Sequence, residues 1–468
     1  MSLAELEARL GHDLVCLEWR GPDWTAKRGD AYDIVIVGGG QSGLAAAFAL
    51  IGERVNHILV LDENPAGREG PWDTYARMRT LRTPKHLTPI DHGIASLTFR
   101  AWYEAQHGAD GWAVLDKIPR GDWMDYLRWY RRVLDLPVRN DARVAAIEPV
   151  GDGLFAIRLT DGAVLRARKV VLATGIQGGG EWHVPGFIRD ALPPHLYAHT
   201  ATAVDYAALA GKRIGILGIG ASAFDNATAA LEAGVAEVHV FARRSAMPRV
   251  NPIRFMERAG ITARYPALAD ADKYRAMDDF LHKNQPPTND MFAAASAHPG
   301  FRLHLGSPWL SVVPAGAGVR VTTPTGEHRF DFLVLSTGLV SDPALRPELA
   351  AVADGIARWG DRSAPPVGAA NPVIDAHPYL GPAFELLPRR AEDAARLHGL
   401  FAFNYSALIS LGLSAAALSG LKHALPRLAK GVADQLFGDD APALVDALIA
   451  FDEVEFAGDW SAETGVAA

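Results

Sequence analysis

Apolar residues along this chain gather twice into a short strand-like run that is closed by glycine and followed by a helix of small residues. The first run, Asp33-Ile34-Val35-Ile36-Val37, is apolar after its opening Asp, as expected of a strand buried on both faces of a parallel sheet. Gly38 follows it, an Ala/Leu-rich helix is predicted to about Gly52, and a second strand, His57 to Leu61, ends at Asp62. Strand, helix and strand in that order make a βαβ unit. The pattern returns far downstream. Lys212 to Leu217 reads as a strand, Gly218 as a turn, and the Ala-rich stretch to Gly234 as a helix. Val238-His239-Val240-Phe241 is the next strand, followed by Arg243-Arg244.

Each unit has a similar tail. Leu154 to Leu159 and Ala163 to Ala167 alternate around Asp161-Gly162, a hairpin signal, and Arg168 to Ala173 leads as a buried strand into Thr174-Gly175. Val319 to Thr323 and His328 to Phe332 flank Thr325-Gly326, and Phe332 to Leu335 leads into Ser336-Thr337-Gly338. Residues 251–300 read as an irregular, partly helical insertion. A Pro-rich stretch runs to about residue 390, and a strand from Leu400 to Phe403 precedes an apolar helix from about Ala407. At the start, Ser2 and Glu5 form a capping box, and Leu3, Leu6 and Leu10 share a helical face. That face is expected to pack on the body or on a second subunit, so a homodimer is one expectation.

The fold class expected is α/β, with two Rossmann-like dinucleotide-binding domains. Residues 1–30 are an extension, 31–204 with 340–468 a first domain, and 205–339 a second domain carrying the 251–300 insertion.

Composition narrows the chemistry. A chain of 468 residues needs more than one core, and its net charge of −8 without a Lys/Arg run speaks against nucleic acid or a membrane surface as partner. Cys16 is the sole cysteine, which excludes an intrachain disulfide, a cysteine-based zinc site and a dithiol redox pair. The first residues are acidic and amphipathic, unlike a signal peptide, and Ala407 to Leu421 is shorter than a membrane span. A cytoplasmic protein is expected. The 16 histidines show no metal-binding spacing, so no metal site is predicted, and no G-x-S-x-G elbow occurs.

Gly38-Gly39-Gly40-Gln41-Ser42-Gly43 is a G-x-G-x-x-G between strand and helix. Gly38 permits the tight turn, Gly40 lets the backbone approach a pyrophosphate, and Gly43 lets helix and strand close up. The helix start, with Gln41 and Ser42, supplies amide donors and the positive end of the dipole. Asp62 can take the ribose hydroxyls. Gly218-Ile219-Gly220-Ala221-Ser222-Ala223 is the second fingerprint, with Ala223 at the third glycine. No acid follows its second strand. Arg243 and Arg244 stand there instead and suit a 2′-phosphate, which favours NADPH.

The order of these parts resembles the two-dinucleotide-binding-domain flavoproteins over nearly the whole chain after residue 30. Within them it is similar to the flavin-containing monooxygenase superfamily and the neighbouring N-hydroxylating monooxygenases. The stretches that carry the likeness are Gly70-Pro71-Trp72-Asp73-Thr74-Tyr75, the turn Thr83-Pro84-Lys85, and the aromatic segment Pro119 to Tyr130. The resemblance implies FAD in the first domain and NADPH in the second. It also implies that NADPH reduces FAD, that O2 is captured as a C4a-hydroperoxyflavin, and that one oxygen passes to a nitrogen, sulfur or carbonyl centre of a small molecule. Trp72 and the segment Leu81 to Lys85 should then lie near the isoalloxazine, with Thr83 where the family often has Asn. His199 takes the place of the linker histidine, and position 203 is Ala where the Baeyer–Villiger signature has an aromatic.

The cofactor set also includes Glu63, Val144, Thr174, Gly175 and Asn404, the last at a C-terminal helix start. Arg77, Arg79, Arg82 and Lys85 either receive an anionic substrate or nucleotide, or are solvated or on FAD phosphates; Thr83, Lys85 and Arg82 are the catalytic candidates. A flavin reductase or oxidase, passing electrons to a quinone, a protein partner or O2, is the alternative activity.

Overall fold

A computed structural model describes residues 1–87, 89–258, 260–362 and 370–458. Its first sheet is built from β1 (Tyr32–Val37), β2 (Ile58–Leu61), β3 (Val138–Arg139), β4 (Val144–Gly151), β5 (Leu154–Leu159) and β6 (Val164–Leu172). β1 pairs in parallel with β2 on one side and β6 on the other, and β3 extends the sheet beyond β2. The expected hairpin and the strand after it prove to be one continuous meander. β4, β5 and β6 are antiparallel, and β6 runs on to pair with β1. One long strand thus joins the parallel and antiparallel halves of a single sheet, and its burial is unbroken from Ala167 onward.

β7 (Gly180–Trp182) leaves the first domain. The second sheet, ordered β11-β10-β9-β15-β8, is all parallel. Its strands are β8 (Tyr197–His199), β9 (Arg213–Leu217), β10 (Glu237–Phe241), β11 (Phe301–His304) and β15 (Phe332–Leu335), with β12 (Ser311–Ala315), β13 (Gly318–Thr323) and β14 (Gly326–Phe330) forming an antiparallel sheet beside it. β8, which precedes residue 205, thus pairs within the second sheet. β16 (Leu339–Ser341) returns antiparallel to β7, so both chain crossings between the domains run through one two-stranded ribbon. β17 (Leu400–Phe401) completes the first sheet alongside β6.

The insertion is more ordered than the sequence suggests. It holds helices Pro252–Arg258, Asp270–Lys283 and Asn289–Ser296. Met256, Tyr265, Tyr274 and Met277 bury against Trp359, Leu408 and Ile409 of the C-terminal part, so the insertion bridges the two domains. The expected apolar helix is broken at Gly412, whose φ of 72° suits glycine, and continues as Leu418–Ala450. The N-terminal helix Leu3–Cys16 buries Leu6 and Leu10 on its own chain, and its Glu7 takes Trp129 Nε1 at 3.0 Å. Among the described residues no helix is long and apolar enough to cross a membrane.

A buried ionic seam that sequence reading missed joins β6 to the C-terminal helix. Arg168 pairs with Asp33 (3.2 Å) and Asp440 (2.8 Å), and Lys169 with Asp439 (2.8 Å). Arg168 and Lys169 are almost wholly buried, so each cation relies on its carboxylates in place of water.

Candidate functional site

The two fingerprints are built alike. Gly38 (φ 105°) and Gly218 (φ 114°) hold conformations that side-chain-bearing residues avoid. A Cβ on Gly38 would lie 2.4 Å from the Ala173 carbonyl, and one on Gly218 would lie 2.2 Å from that of Ser336. Each first glycine thus nests on the residue before its own Thr-Gly turn, Thr174-Gly175 or Thr337-Gly338. The two turns therefore lie directly beside the two glycine turns. Gly43 is needed for close packing, since a Cβ there would stand 1.8 Å from the Gly38 carbonyl.

The middle glycines differ. A Cβ on Gly40 would be 3.7 Å from its nearest neighbour, and one on Gly220 would meet nothing within 4 Å. The protein itself does not require these positions to be bare. Both cap the N-terminus of a helix, Gln41–Gly52 and Ala221–Glu232, where free amides face outward. Bare backbone beside a helix start and an unfilled cradle is what a pyrophosphate needs, so the residues fit FAD at the first site and NAD(P) at the second.

Over the first fingerprint lies a cavity of about 260 Å³, lined by Gly39, Gly40, Leu44, Met124, Arg128 and Arg131 among others. Arg128 and Arg131 project from the aromatic helix Arg120–Val133 and bring cationic groups that sequence reading did not single out. Arg131 is held by Glu69, Asn140 Oδ1 (2.8 Å) and the Val138 carbonyl (3.0 Å). The i, i+3 spacing of two arginines on a helix that also carries Trp123 facing Gln41 was the available signal.

Asp62 ends β2 as expected, and its Oδ2 accepts from Gly39 N at 2.7 Å while Oδ1 accepts from Asn64 N at 2.8 Å. Glu63 is exposed and pairs loosely with Arg143 at 3.5 Å. Val144 opens β4, two residues beyond Ala142, whose N–H donates to the Asp62 carbonyl (2.8 Å). Ser42 is buried and Gln41 accepts from Trp123 Nε1 at 3.1 Å. Trp72 is buried with an unpartnered Nε1, a donor left over for a ligand.

Asn404 corrects an expectation. Its amide nitrogen donates to the Leu172 carbonyl, Thr174 Oγ1 and the Gly178 carbonyl, each at 3.2 Å, and its oxygen accepts from Ser406 N and Oγ. It ties the end of β6 to the C-terminal segment and has nothing left to offer a flavin.

The basic segment is corrected too. Arg77 donates to the Val204 carbonyl (2.9 Å), Arg79 pairs with Glu232, and Arg82 pairs with Asp225 at 2.8 Å. Glu232 and Asp225 lie on the second fingerprint's helix, so these arginines strap the first domain to the second. Burial pushes the Asp225 carboxyl up to about 6, against the pull of Arg82. Lys85 donates to the Trp112 carbonyl (2.7 Å) and the Leu115 carbonyl and sits 4.8 Å over the Trp112 ring. Lys85 is thus engaged by backbone carbonyls, whereas Arg82, paired through one terminal nitrogen, keeps a buried Nε without a partner. Thr83 is half-buried in the turn between them.

In the second domain Ala223 is fully buried, filling the third-glycine position, and Ser222 is exposed beside Ala221. Arg243 is exposed at the end of β10, whereas Arg244 donates to the His282 carbonyl at 2.7 Å and anchors the insertion. No metal-binding spacing occurs in the sequence, yet the fold gathers three distant histidines. His239, His304 and His328, far apart in sequence, come together with candidate ligand atoms within 4.8 Å.

Between the sites, at the crossover ribbon, three rings form a ladder. Tyr75 lies edge-on to Trp182 at 6.2 Å, and Trp182 stacks on His199 at 5.1 Å. Burial pushes His199 down to about 4, so it is neutral at physiological pH, and its Nδ1 accepts from Ala201 N.

Two family models match the chain. One, described as FAD-NAD(P)-binding, covers residues 35–177, and the other, L-lysine 6-monooxygenase/L-ornithine 5-monooxygenase, covers residues 113–270. A curated FAD-dependent urate hydroxylase from Xanthomonas campestris pv. campestris is 64% identical over 469 residues, which is 99% of each chain. Among solved structures, an ornithine hydroxylase from Pseudomonas aeruginosa is similar in fold at TM-score 0.68, with 18% identity over 87% of this chain and all of that one. An L-lysine 6-monooxygenase from Pseudomonas syringae is similar at TM-score 0.62, with 19% identity over 86% of this chain and 99% of that one.

Proposed function

The chain belongs to the FAD-dependent monooxygenases, in the family of the urate hydroxylase it matches from end to end, and we propose that urate is its own substrate. The observation that carries this reading is that match, which spans both fingerprints, the crossover ribbon and the insertion alike. The reading moves the oxygen acceptor away from the nitrogen, sulfur or carbonyl centre that the flavin-containing monooxygenases suggest. Urate's most electron-rich atom is C5, a ring carbon in a double bond flanked by nitrogen donors, and C5 is the proposed acceptor. The balance is one urate, one O2, one NADPH and one proton giving hydroxylated urate, NADP+ and water.

FAD, when bound, supplies the redox and oxygen chemistry, and the protein supplies position and electrostatics. Gly40, with the helix start at Gln41 and Ser42, receives the pyrophosphate, while Arg128 and Arg131, each paired with carboxylates, offer directed N–H groups at the cavity rim. Asp62 fixes the Gly39 turn through Oδ2, which alone of its two oxygens keeps a lone pair for a ribose hydroxyl, since Oδ1 already accepts twice from Asn64. Trp72 Nε1 offers a buried donor to the cofactor or substrate. Gly218, Gly220 and Ala221 receive the second pyrophosphate, and exposed Arg243 selects the 2′-phosphate of NADPH. The ladder Tyr75–Trp182–His199 offers flat aromatic surface at the junction of the two sites, suited to a planar purine. Neutral His199 can donate a hydrogen bond from Nε2 without adding charge.

The test is NADPH oxidation by the purified flavoprotein with urate, L-ornithine, L-lysine or no addition. Strong stimulation by urate alone is expected. Stimulation by an amino acid and none by urate would overturn the assignment.

A further inference from the structure

The second domain carries a histidine cluster that the oxygenation chemistry does not use. His239 lies on β10 and His304 ends β11. In the parallel register Phe241 is opposite His304, so His239, Phe241 and His304 share one face of the sheet. His328 comes from β14 of the antiparallel sheet, opposite Val321, whose burial marks the inward face. The three imidazoles therefore meet in the seam between two sheets, walled by Phe241 and Phe330. In such a seam apolar side chains would be cheaper than three polar rings unless the rings have partners.

Their partners are few and arranged in a telling way. His239 Nε2 lies 3.3 Å from Glu237 Oε2, and Glu237 is itself held by Arg213 Nε at 2.6 Å. The carboxylate fixes the proton on Nε2 and leaves the Nδ1 lone pair pointing inward, 3.0 Å from His304 Nε2. A carboxylate behind a histidine whose other nitrogen faces neighbouring imidazoles is the outer-shell pattern of metal sites. His328 completes the group, with candidate ligand atoms of all three within 4.8 Å. Tetrahedral zinc with Zn–N near 2.0–2.1 Å needs nitrogens about 3.4 Å apart, so the 3.0 Å pair would open slightly and any separation nearer 4.8 Å would close.

We propose that His239, His304 and His328 bind one divalent late-transition-metal ion, zinc fitting the donor set best, with water in the fourth position. The ion staples the antiparallel sheet to the edge of the NADPH-binding sheet. The staple also steadies the end of β10, since Ala242 N donates to the His304 carbonyl at 2.9 Å and Arg243 follows directly.

The experiment uses tag-free holoenzyme stripped with a chelator and titrated with Co2+, whose visible bands report tetrahedral nitrogen coordination. One Co2+ per chain is expected, displaced by equimolar Zn2+, with affinity falling at least tenfold in His328→Asn and further in the His304→Gln/His328→Gln pair. Bound flavin and circular dichroism verify that the variants are folded, and the wild-type spectrum stands without them. No tetrahedral spectrum in the wild type, or equal binding by wild type and the double variant through other histidines, would overturn the proposal.

Discussion

The ion pair between Arg82 and Asp225 makes an unusual stability prediction. Asp225 is nearly buried on the helix Ala221–Glu232, and its carboxyl is pushed up to about 6 from an ordinary 3.8 even with Arg82 at 2.8 Å. Desolvation therefore outweighs the attraction. A carboxyl that binds its proton more tightly in the folded state than in the unfolded one destabilises the fold once ionised. The rise from 3.8 to about 6 corresponds to about 3 kcal/mol. That cost is fully present above pH 6 and disappears as the pH falls towards 3.8. Asp225→Asn keeps the shape and removes the charge, so it should be more stable than wild type at pH 8 by up to about 3 kcal/mol, and close to it at pH 4. Arg82→Ala leaves the carboxylate buried and unpaired and should be less stable than wild type at pH 8. Scanning calorimetry of the three holoproteins at both pH values measures this. If Asp225→Asn unfolded earlier than wild type at pH 8, or its offset did not change with pH, the reasoning would be wrong. The strap would then be a simple stabilising bridge; on the present account it is kept to hold the two nucleotide domains in register, and Asp225→Asn should lose NADPH-dependent turnover while gaining stability.

Other outcomes follow from single contacts. Gly43→Ala must open a gap of about 1.6 Å against the Gly38 carbonyl beneath a helix packed on all sides, and should purify without bound flavin, as its visible spectrum will show. Arg243→Ala should raise KM for NADPH roughly tenfold or more and leave KM for NADH unchanged, measured by initial rates with each nucleotide. Asp440→Asn strips Arg168 of its closer carboxylate, leaving only Asp33, and should cost about 3 kcal/mol in guanidinium unfolding.

Local signals carried the two strand–turn–helix units. The fingerprint glycines sit in one turn with their strand and helix, so periodicity and spacing were enough to find them, and the two Thr-Gly turns proved to cradle Gly38 and Gly218. What the sequence hid was every feature made by distant segments. The arginines at 77, 79 and 82 looked like a receptor for anions because their partners lie about 130 to 150 residues away on another domain. Asn404 resembled a cofactor donor because only the folded chain brings Leu172, Thr174 and Gly178 to it. The histidines at 239, 304 and 328 share no spacing, since a parallel register and an inter-sheet seam unite them. Arg168 and Lys169, charged residues in a strand otherwise patterned for burial, were a visible anomaly whose resolution lay in Asp439 and Asp440.

The assignment of urate as substrate is tested most directly with ¹⁸O2. The holoenzyme, NADPH and urate are mixed under labelled oxygen, and the products are weighed by mass spectrometry while NADPH loss and peroxide are counted. The account predicts one labelled oxygen in the urate-derived product for each NADPH oxidised, with little peroxide. Unlabelled urate recovered intact, with the consumed oxygen appearing as peroxide, would contradict it.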